Sequence, residues 1–269
     1  MLFKSIKMIK VAILYICTGK YNQFFEGFYE STEKYFLHGK AQKEYFVWTD
    51  EMTLSRAENV HLHKRECQGF PMDSLLRFEI FTSIKDQLLN FDYIFFFNAN
   101  SLFIKETNEE FLPKSEDRFV AGCWKMRLSH PMFYPYERNK KSTAYIPPRE
   151  KPYKYYGGFF NGGEARFFLE MAETLAKNTR IDLKNGIIAN VHDESHLNCY
   201  LHKNRYCTAL PESYIIPEEC VKHDDKPFLI LRDKVRLDQY FNKNRNHSFF
   251  AKLKKAFKKY VWGAIQWYL

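Results

Sequence analysis

The chain has 269 residues, 45% hydrophobic and 18% aromatic, enough for one large α/β domain with a sizeable core. No apolar run approaches the roughly 20 residues of a membrane-spanning helix, so any membrane contact is expected to be peripheral. The formal charge is +9, but five lysines within residues 249–269, with no acid among them, supply more than half of it. The body has no basic stripe and no recognisable binding motif, so nucleic acid is not an expected partner. Six cysteines, at 17, 67, 123, 199, 207 and 220, form no Cys-x-x-Cys pair and no disulfide framework, which points to a reducing cytoplasm.

The basic stretch from Lys4 to Lys10, followed by the apolar run Val11 to Cys17, has the outline of a signal peptide but no small-residue cleavage site. It reads as a first strand, ended by the turn Thr18-Gly19-Lys20-Tyr21. Phe24, Phe25, Phe28, Tyr29, Tyr35 and Phe36 then recur at helical spacing with charged residues between them, an amphipathic helix. Glu44 to Thr49 reads as a second strand, Asp73 to Leu89 as a helix, and Tyr93 to Phe97 as a third strand buried on both faces. This alternation predicts a parallel, nucleotide-binding half-sheet.

The third strand ends in Asn98-Ala99-Asn100, at the lip where ligands of such sheets bind. In isolation these residues make an ordinary turn; as alternating residues of an extended segment, the two amides would face one ligand. Residues 125–155, rich in Tyr, Pro, Lys and Arg, predict loops and short strands forming a ligand-facing wall. The glycine pairs 157–158 and 162–163 imply either close backbone approach or a tight bend. Glu164 to Lys177 predicts a helix, and Asp193 to His202 begins another. His192-Asp193-Glu194-Ser195-His196 places two histidines four apart, but Asp193 stands where the zinc-protease pattern requires Glu, so no metal site is assigned. Its carboxylates are either a solvated helix start or functional groups.

These blocks together resemble glycosyltransferase family six, which contains the histo-blood-group A and B transferases and the α1,3-galactosyltransferases. The resemblance runs from about residue 11 to about residue 246 and is carried by Lys20-Tyr21 with Phe24 to Phe36, Phe46 to Asp50, Tyr93 to Phe103, Ala144 through Gly163, and His192 to Tyr200. It implies a GT-A-like α/β fold, a single two-lobed domain over residues 1–248, and transfer of a sugar from a UDP donor with retention of anomeric configuration. By position, Ile16, Cys17, Thr18 and Tyr21 would hold the uridine, and Asn98, Ala99 and Asn100 would lie near ribose and diphosphate. Tyr156, Gly157, Gly158 and Asp193 would meet the donor sugar. His130, Val191 and Glu194 would meet the acceptor, with Glu194 also facing the anomeric carbon as nucleophile or ion-pair stabiliser.

Two departures from the family's vertebrate members matter. Those have Asp-x-Asp where this chain has two asparagines, as bacterial members do, and neutral amides hold a divalent ion weakly. The resemblance therefore implies that no metal cofactor is required, with Arg77, Lys243 and Arg245 as candidates to offset the diphosphate charge. Val191 replaces an acceptor-site tryptophan, which bears on acceptor choice. The expected reaction moves GalNAc, or less readily galactose, to the 3-hydroxyl of a galactoside or fucosylated galactoside. A carbohydrate-binding protein that has lost catalysis is the rival reading, opposed by Asp193 and Glu194.

Residues 249–269 stand apart. Phe250, Leu253, Phe257, Tyr260, Val261, Ala264 and Tyr268 fall on one helical face, and lysines 252, 254, 255, 258 and 259 on the other. The pattern predicts a helix on an anionic membrane surface, the alternative being a helix packed on the body.

Overall fold

The computed structural model describes residues 8–124, 130–237 and 263–268. Its main sheet has seven strands in the order β3 (Val60–Lys64), β2 (Ala41–Thr49), β1 (Ile9–Ile16), β4 (Tyr93–Phe97), β7 (Tyr156–Glu164), β6 (Phe119–Cys123) and β8 (Cys207–Leu210). The first four are mutually parallel, β7 is antiparallel to both β4 and β6, and β8 is parallel to β6. A smaller sheet joins β5 (Ser101–Phe103), β10 (Leu229–Leu231) and β9 (Ile215–Pro217). This is the α/β, GT-A-like architecture expected, with the parallel half-sheet at the N-terminal end of the chain.

Both faces of β4 are covered, which is why its sequence is apolar without alternation. Phe95 and Phe97 each stack edge-on against Phe36, just past helix α1 (Phe25–Tyr35), with centroids 5.3 Å away. Phe96 faces Phe81 at 5.4 Å on the opposite side, where α5 (Ala165–Lys184) also packs. On the other edge of β4, a Cβ at Gly162 would stand 2.2 Å from the Phe95 ring and 2.7 Å from the Ile94 carbonyl. Gly162 and Gly163 therefore serve close strand approach, and all four glycines lie within β7, whose register against β6 shifts between Tyr156 and Asn161, where the first pair stands.

The helix expected over residues 73–89 is instead three short pieces, α2 (Met72–Leu75), α3 (Arg77–Thr82) and α4 (Lys85–Leu88). Leu76 and Ile84 leave helical geometry, and the hydroxyls of Thr82 and Ser83 bond back to the carbonyls of Glu79 and Ile80, competing with the helical ladder. The break places Arg77 at the start of α3.

Among the described residues no helix is long and apolar enough to cross a membrane. Lys243, Arg245 and the five tail lysines lie outside the described residues. The short helix Gly263–Tyr268 is described, and it packs on the body: Arg149 Nε donates to the Trp267 carbonyl at 2.9 Å, and the Trp267 ring meets His130 and Tyr153 at 5.4 and 5.6 Å. Trp267 of this end of the tail thus packs on the body, while Ile265 and Tyr268 remain exposed.

Candidate active site

A cleft of about 1020 Å³ opens beyond the C-terminal ends of β1 and β4, at the position where open α/β sheets bind ligands. One end is formed by Ile16 and the turn Thr18–Tyr21. The turn is fixed from the neighbouring strand: both carboxylate oxygens of Asp50 accept from the Gly19 amide at 2.9 Å, and one accepts from Asn22 at 2.7 Å. Gly19 takes φ +56°, a conformation that favours glycine.

Cys17 does not face this cleft. Side chains alternate along β1, so Val11, Ile13, Tyr15 and Cys17 share one buried face while Ile16 points the other way. The Cys17 thiol is fully buried, and burial pushes its pKa up to about 12.

The amides at the end of β4 engage each other. Asn98 Nδ2 donates to Asn100 Oδ1 at 3.0 Å, and Asn100 Nδ2 donates to the Arg232 carbonyl at 2.8 Å. Ala99 lies between them, its carbonyl accepting from the Tyr15 hydroxyl at 2.6 Å. Two neutral amides bonded to one another are a poor fit to a divalent ion, and no step below passes through one. Among the described residues no group of three His, Cys, Asp or Glu could hold a metal.

The opposite wall carries the charged chemistry. Helix α6 (His192–Asn204) presents Asp193 and Glu194 in its first turn, where the helix dipole favours anions. Arg77 Nη1 pairs with Asp193 Oδ2 and donates to the Gly158 carbonyl, both at 2.7 Å, and its guanidinium lies 4.1 Å over the Phe96 ring. Its Nε is buried with no hydrogen-bond partner among the described residues. Burial raises the Asp193 pKa, with Arg77 opposing. The Gly158 amide donates to Glu194 Oε2 at 2.5 Å, and the Tyr155 hydroxyl donates to Oε1. Burial pushes the Glu194 carboxyl up to about 6 against those two donors, Asp193 adding to the rise and Arg77 opposing it.

Of the three residues expected around the donor sugar on β7, only Gly158 faces the cleft, where an added Cβ would stand 3.2 Å from Glu194 Oε2 and 3.4 Å from Asp193 Oδ2. Gly157 instead makes room for the Phe159 ring, 2.0 Å from where its Cβ would be. Tyr156 turns to the far side of the sheet, into the core with Phe78 and Phe168, where its hydroxyl meets Cys207. Alternation separates Gly157 from Gly158, while Tyr156 and Gly158, two residues apart, part because the register of β7 against β6 shifts between Tyr156 and Asn161. Val191 lines the cleft as expected. His130 does not; it is exposed, its Nδ1 accepts from the Met132 amide, and its ring meets Trp267, while Trp124 and Pro135 line the cleft.

Lys234, which the sequence reading passed over, closes the cleft beside Tyr21. Its ammonium lies 4.8 Å over the Tyr21 ring and donates to the Tyr21 hydroxyl at 3.3 Å. Burial, then the like charge of Arg77, lowers its pKa to about 8. No spacing rule connects Lys234 to Tyr21, 213 residues away, so only its place in the fold reveals it. Tyr155 belonged to a recognised block but carried no signal of its own.

Residues 2–227 match the profile of Glycosyltransferase family 6. The chain is 37% identical over 235 residues to the Escherichia coli O-antigen biosynthesis glycosyltransferase WbnI, covering 86% of this chain and 98% of that one. It is 26% identical over 224 residues to the human globoside alpha-1,3-N-acetylgalactosaminyltransferase 1, covering 77% of this chain and 61% of the relative. It is 29% identical over 205 residues to the rat histo-blood group ABO system transferase 1, covering 73% and 58%. It thus spans about three fifths of the length of these two vertebrate relatives. The protein belongs to glycosyltransferase family 6.

Proposed function

We propose that the protein transfers GalNAc from UDP-GalNAc to the 3-hydroxyl of a galactoside, with retention and without a metal ion. The observation that carries this reading is the constellation of half-buried Glu194 with buried Asp193 and Arg77, gathered around Gly158 at the end of the parallel sheet. The α1,3-N-acetylgalactosaminyltransferase named among its relatives supports the donor and linkage, and the lack of a side chain at Gly158 in the cleft wall supports an acetamido-bearing sugar over galactose.

In this reading the bond from the anomeric carbon to the diphosphate breaks with its electron pair leaving on UDP. Arg77, with its unpartnered Nε, and Lys234 offset the charge that develops there. Glu194 meets the positive charge on the anomeric carbon, and Asp193, held by Arg77, accepts from a donor-sugar hydroxyl. The acceptor oxygen bonds to the anomeric carbon and loses its proton to the departing diphosphate oxygen. The absence of anionic ligands at Asn98 and Asn100 supports metal independence. We place the protein in a reducing, cytoplasmic setting, supported by six cysteines that form no Cys-x-x-Cys pair and no disulfide framework, with the lysines of the tail directed to an anionic membrane surface.

Measuring UDP release over a grid of UDP-sugars and galactoside acceptors in excess EDTA tests this. The expected result is acceptor-dependent turnover with UDP-GalNAc that manganese stimulates less than about two-fold, since neutral amides bind it weakly. An absolute manganese requirement overturns metal independence, and a preference for UDP-Gal overturns the donor.

A further inference from the structure

Tyr155 enters the cleft wall just before β7, and nothing in the reaction outlined above uses its phenol. The side chain is 4% exposed and lies against Tyr134 and Tyr136, with ring centroids 5.9 and 5.6 Å away, so packing fixes the direction of its hydroxyl. That hydroxyl donates to Glu194 Oε1 while the Gly158 amide donates to Oε2. Each carboxylate oxygen therefore has one donor, and Tyr155 is the only side-chain donor to Glu194 among the described residues.

The charged groups facing Glu194 are Asp193 on its own helix and Arg77 from α3, and those two are paired with each other at 2.7 Å. From the β7 side come only the neutral phenol and the Gly158 amide. A buried carboxylate without donors takes up a proton, because burial penalises the charged form; hydrogen bonds to that form oppose it. The phenol is itself driven far above its ordinary pKa, by burial first and then by Glu194, so it remains a donor throughout the working range.

We infer that Tyr155 is a positioning residue that holds Glu194 as an oriented anion for the transfer step. The inference rests on the reading that Glu194 faces the reacting carbon. Tyr155 acts through Glu194 and does not itself contact the substrate. Its second effect is to set the acid limit of turnover, since loss of its hydrogen bond favours the protonated carboxyl.

Tyr155→Phe keeps the ring and removes only the donor. Its kcat at pH 7 is expected to fall about 10-fold or more, with the acidic limb of the rate profile moving up by about one pH unit and donor KM changing little. In a Glu194→Gln background the same substitution is expected to add almost nothing, because two residues acting as a unit are not additive. Should the Phe variant not fold, 3-fluorotyrosine introduced at position 155, a stronger donor of nearly the same size, is expected to move the limb down. Carbon-13 titration of the Glu194 carboxyl in wild type and variant reads the same displacement without turnover. An unmoved limb with an unmoved titration, or fully additive losses in the double variant, overturns the role of Tyr155 and leaves the proposed activity standing. A wild-type enzyme inactive with every UDP-sugar rejects that activity instead, and the titration still decides whether Tyr155 holds the anion.

Discussion

Lys234 and Tyr21 meet across 213 residues of sequence, the lysine ammonium donating to the tyrosine hydroxyl at 3.3 Å at the end of the cleft formed by the turn Thr18–Tyr21. The contact places a half-buried cation, its pKa lowered to about 8, beside the strand ends where the diphosphate is expected. A diphosphate favours the charged form of this lysine, so binding draws in a proton whenever the free enzyme has lost it. UDP affinity measured by calorimetry is expected to weaken as pH rises through about 8, with proton uptake visible in buffers of different ionisation enthalpy. Lys234→Gln is expected to lower affinity about 10-fold and to flatten that pH dependence. An unchanged profile in the variant removes Lys234 from the diphosphate site.

Gly158→Ala introduces a Cβ 3.2 Å from Glu194 Oε2 and 3.3 Å from its Cβ, tight enough that the carboxylate must give way. The methyl group also narrows the space for an acetamido substituent. The ratio of kcat/KM values is expected to shift toward UDP-Gal by about 10-fold, the equivalent of about 1.4 kcal/mol, with kcat lowered for both donors. Competition between the two UDP-sugars for one acceptor measures the ratio; an unaltered ratio rejects the steric account.

Glu194→Gln preserves shape and removes the charge at the reacting centre. Turnover is expected to fall at least about 100-fold with UDP binding nearly unchanged. Stability should respond in the opposite direction. The folded carboxyl titrates near 6, above its ordinary 4.5, so the folded state holds the proton more tightly than the unfolded chain. Its stabilising contribution is full below 4.5 and is lost as pH rises through 6. The wild type should therefore gain stability on acidification relative to the variant, by about 2 kcal/mol between pH 8 and pH 4. Denaturant midpoints of both proteins at the two pH values provide the check, and parallel changes would show that Glu194 ionises freely.

Deletion of residues 249–269 removes five lysines and is expected to abolish salt-sensitive binding to vesicles of anionic lipid. Activity on a soluble acceptor is expected to persist, because the cleft residues described above all precede residue 238. Co-sedimentation of full-length and shortened proteins decides between a membrane-facing tail and one wholly packed on the body through Trp267 and Arg149: equal partitioning supports the latter.

Local pattern alone determined much of this protein. The apolar runs of β1 and β4, the amphipathic α1, and the polar residues at the strand ends specified a parallel half-sheet and its ligand-binding edge, because burial on two faces leaves a continuous signature in sequence. The short strands β3, β5, β6, β8, β9 and β10 left no such signature; their residues become strands only when a neighbour supplies the other half of the ladder. The site divides along the same line. Asp193, Glu194 and Gly158 were legible as blocks, and the structure brings them together. Cys17, Tyr156 and Gly157 sat in the right segments, but strand alternation turned Cys17 and the space left at Gly157 away from the cleft, and the register shift of β7 did the same for Tyr156. His130 was in the right loop region yet lies outside the cleft. Tyr155 and Lys234 gained their chemistry wholly from tertiary placement: a phenol held between two rings against Glu194, and a half-buried lysine beside Tyr21 within the field of Arg77. Such roles depend on desolvation and on distances between segments far apart in the chain, and neither quantity is encoded in local spacing.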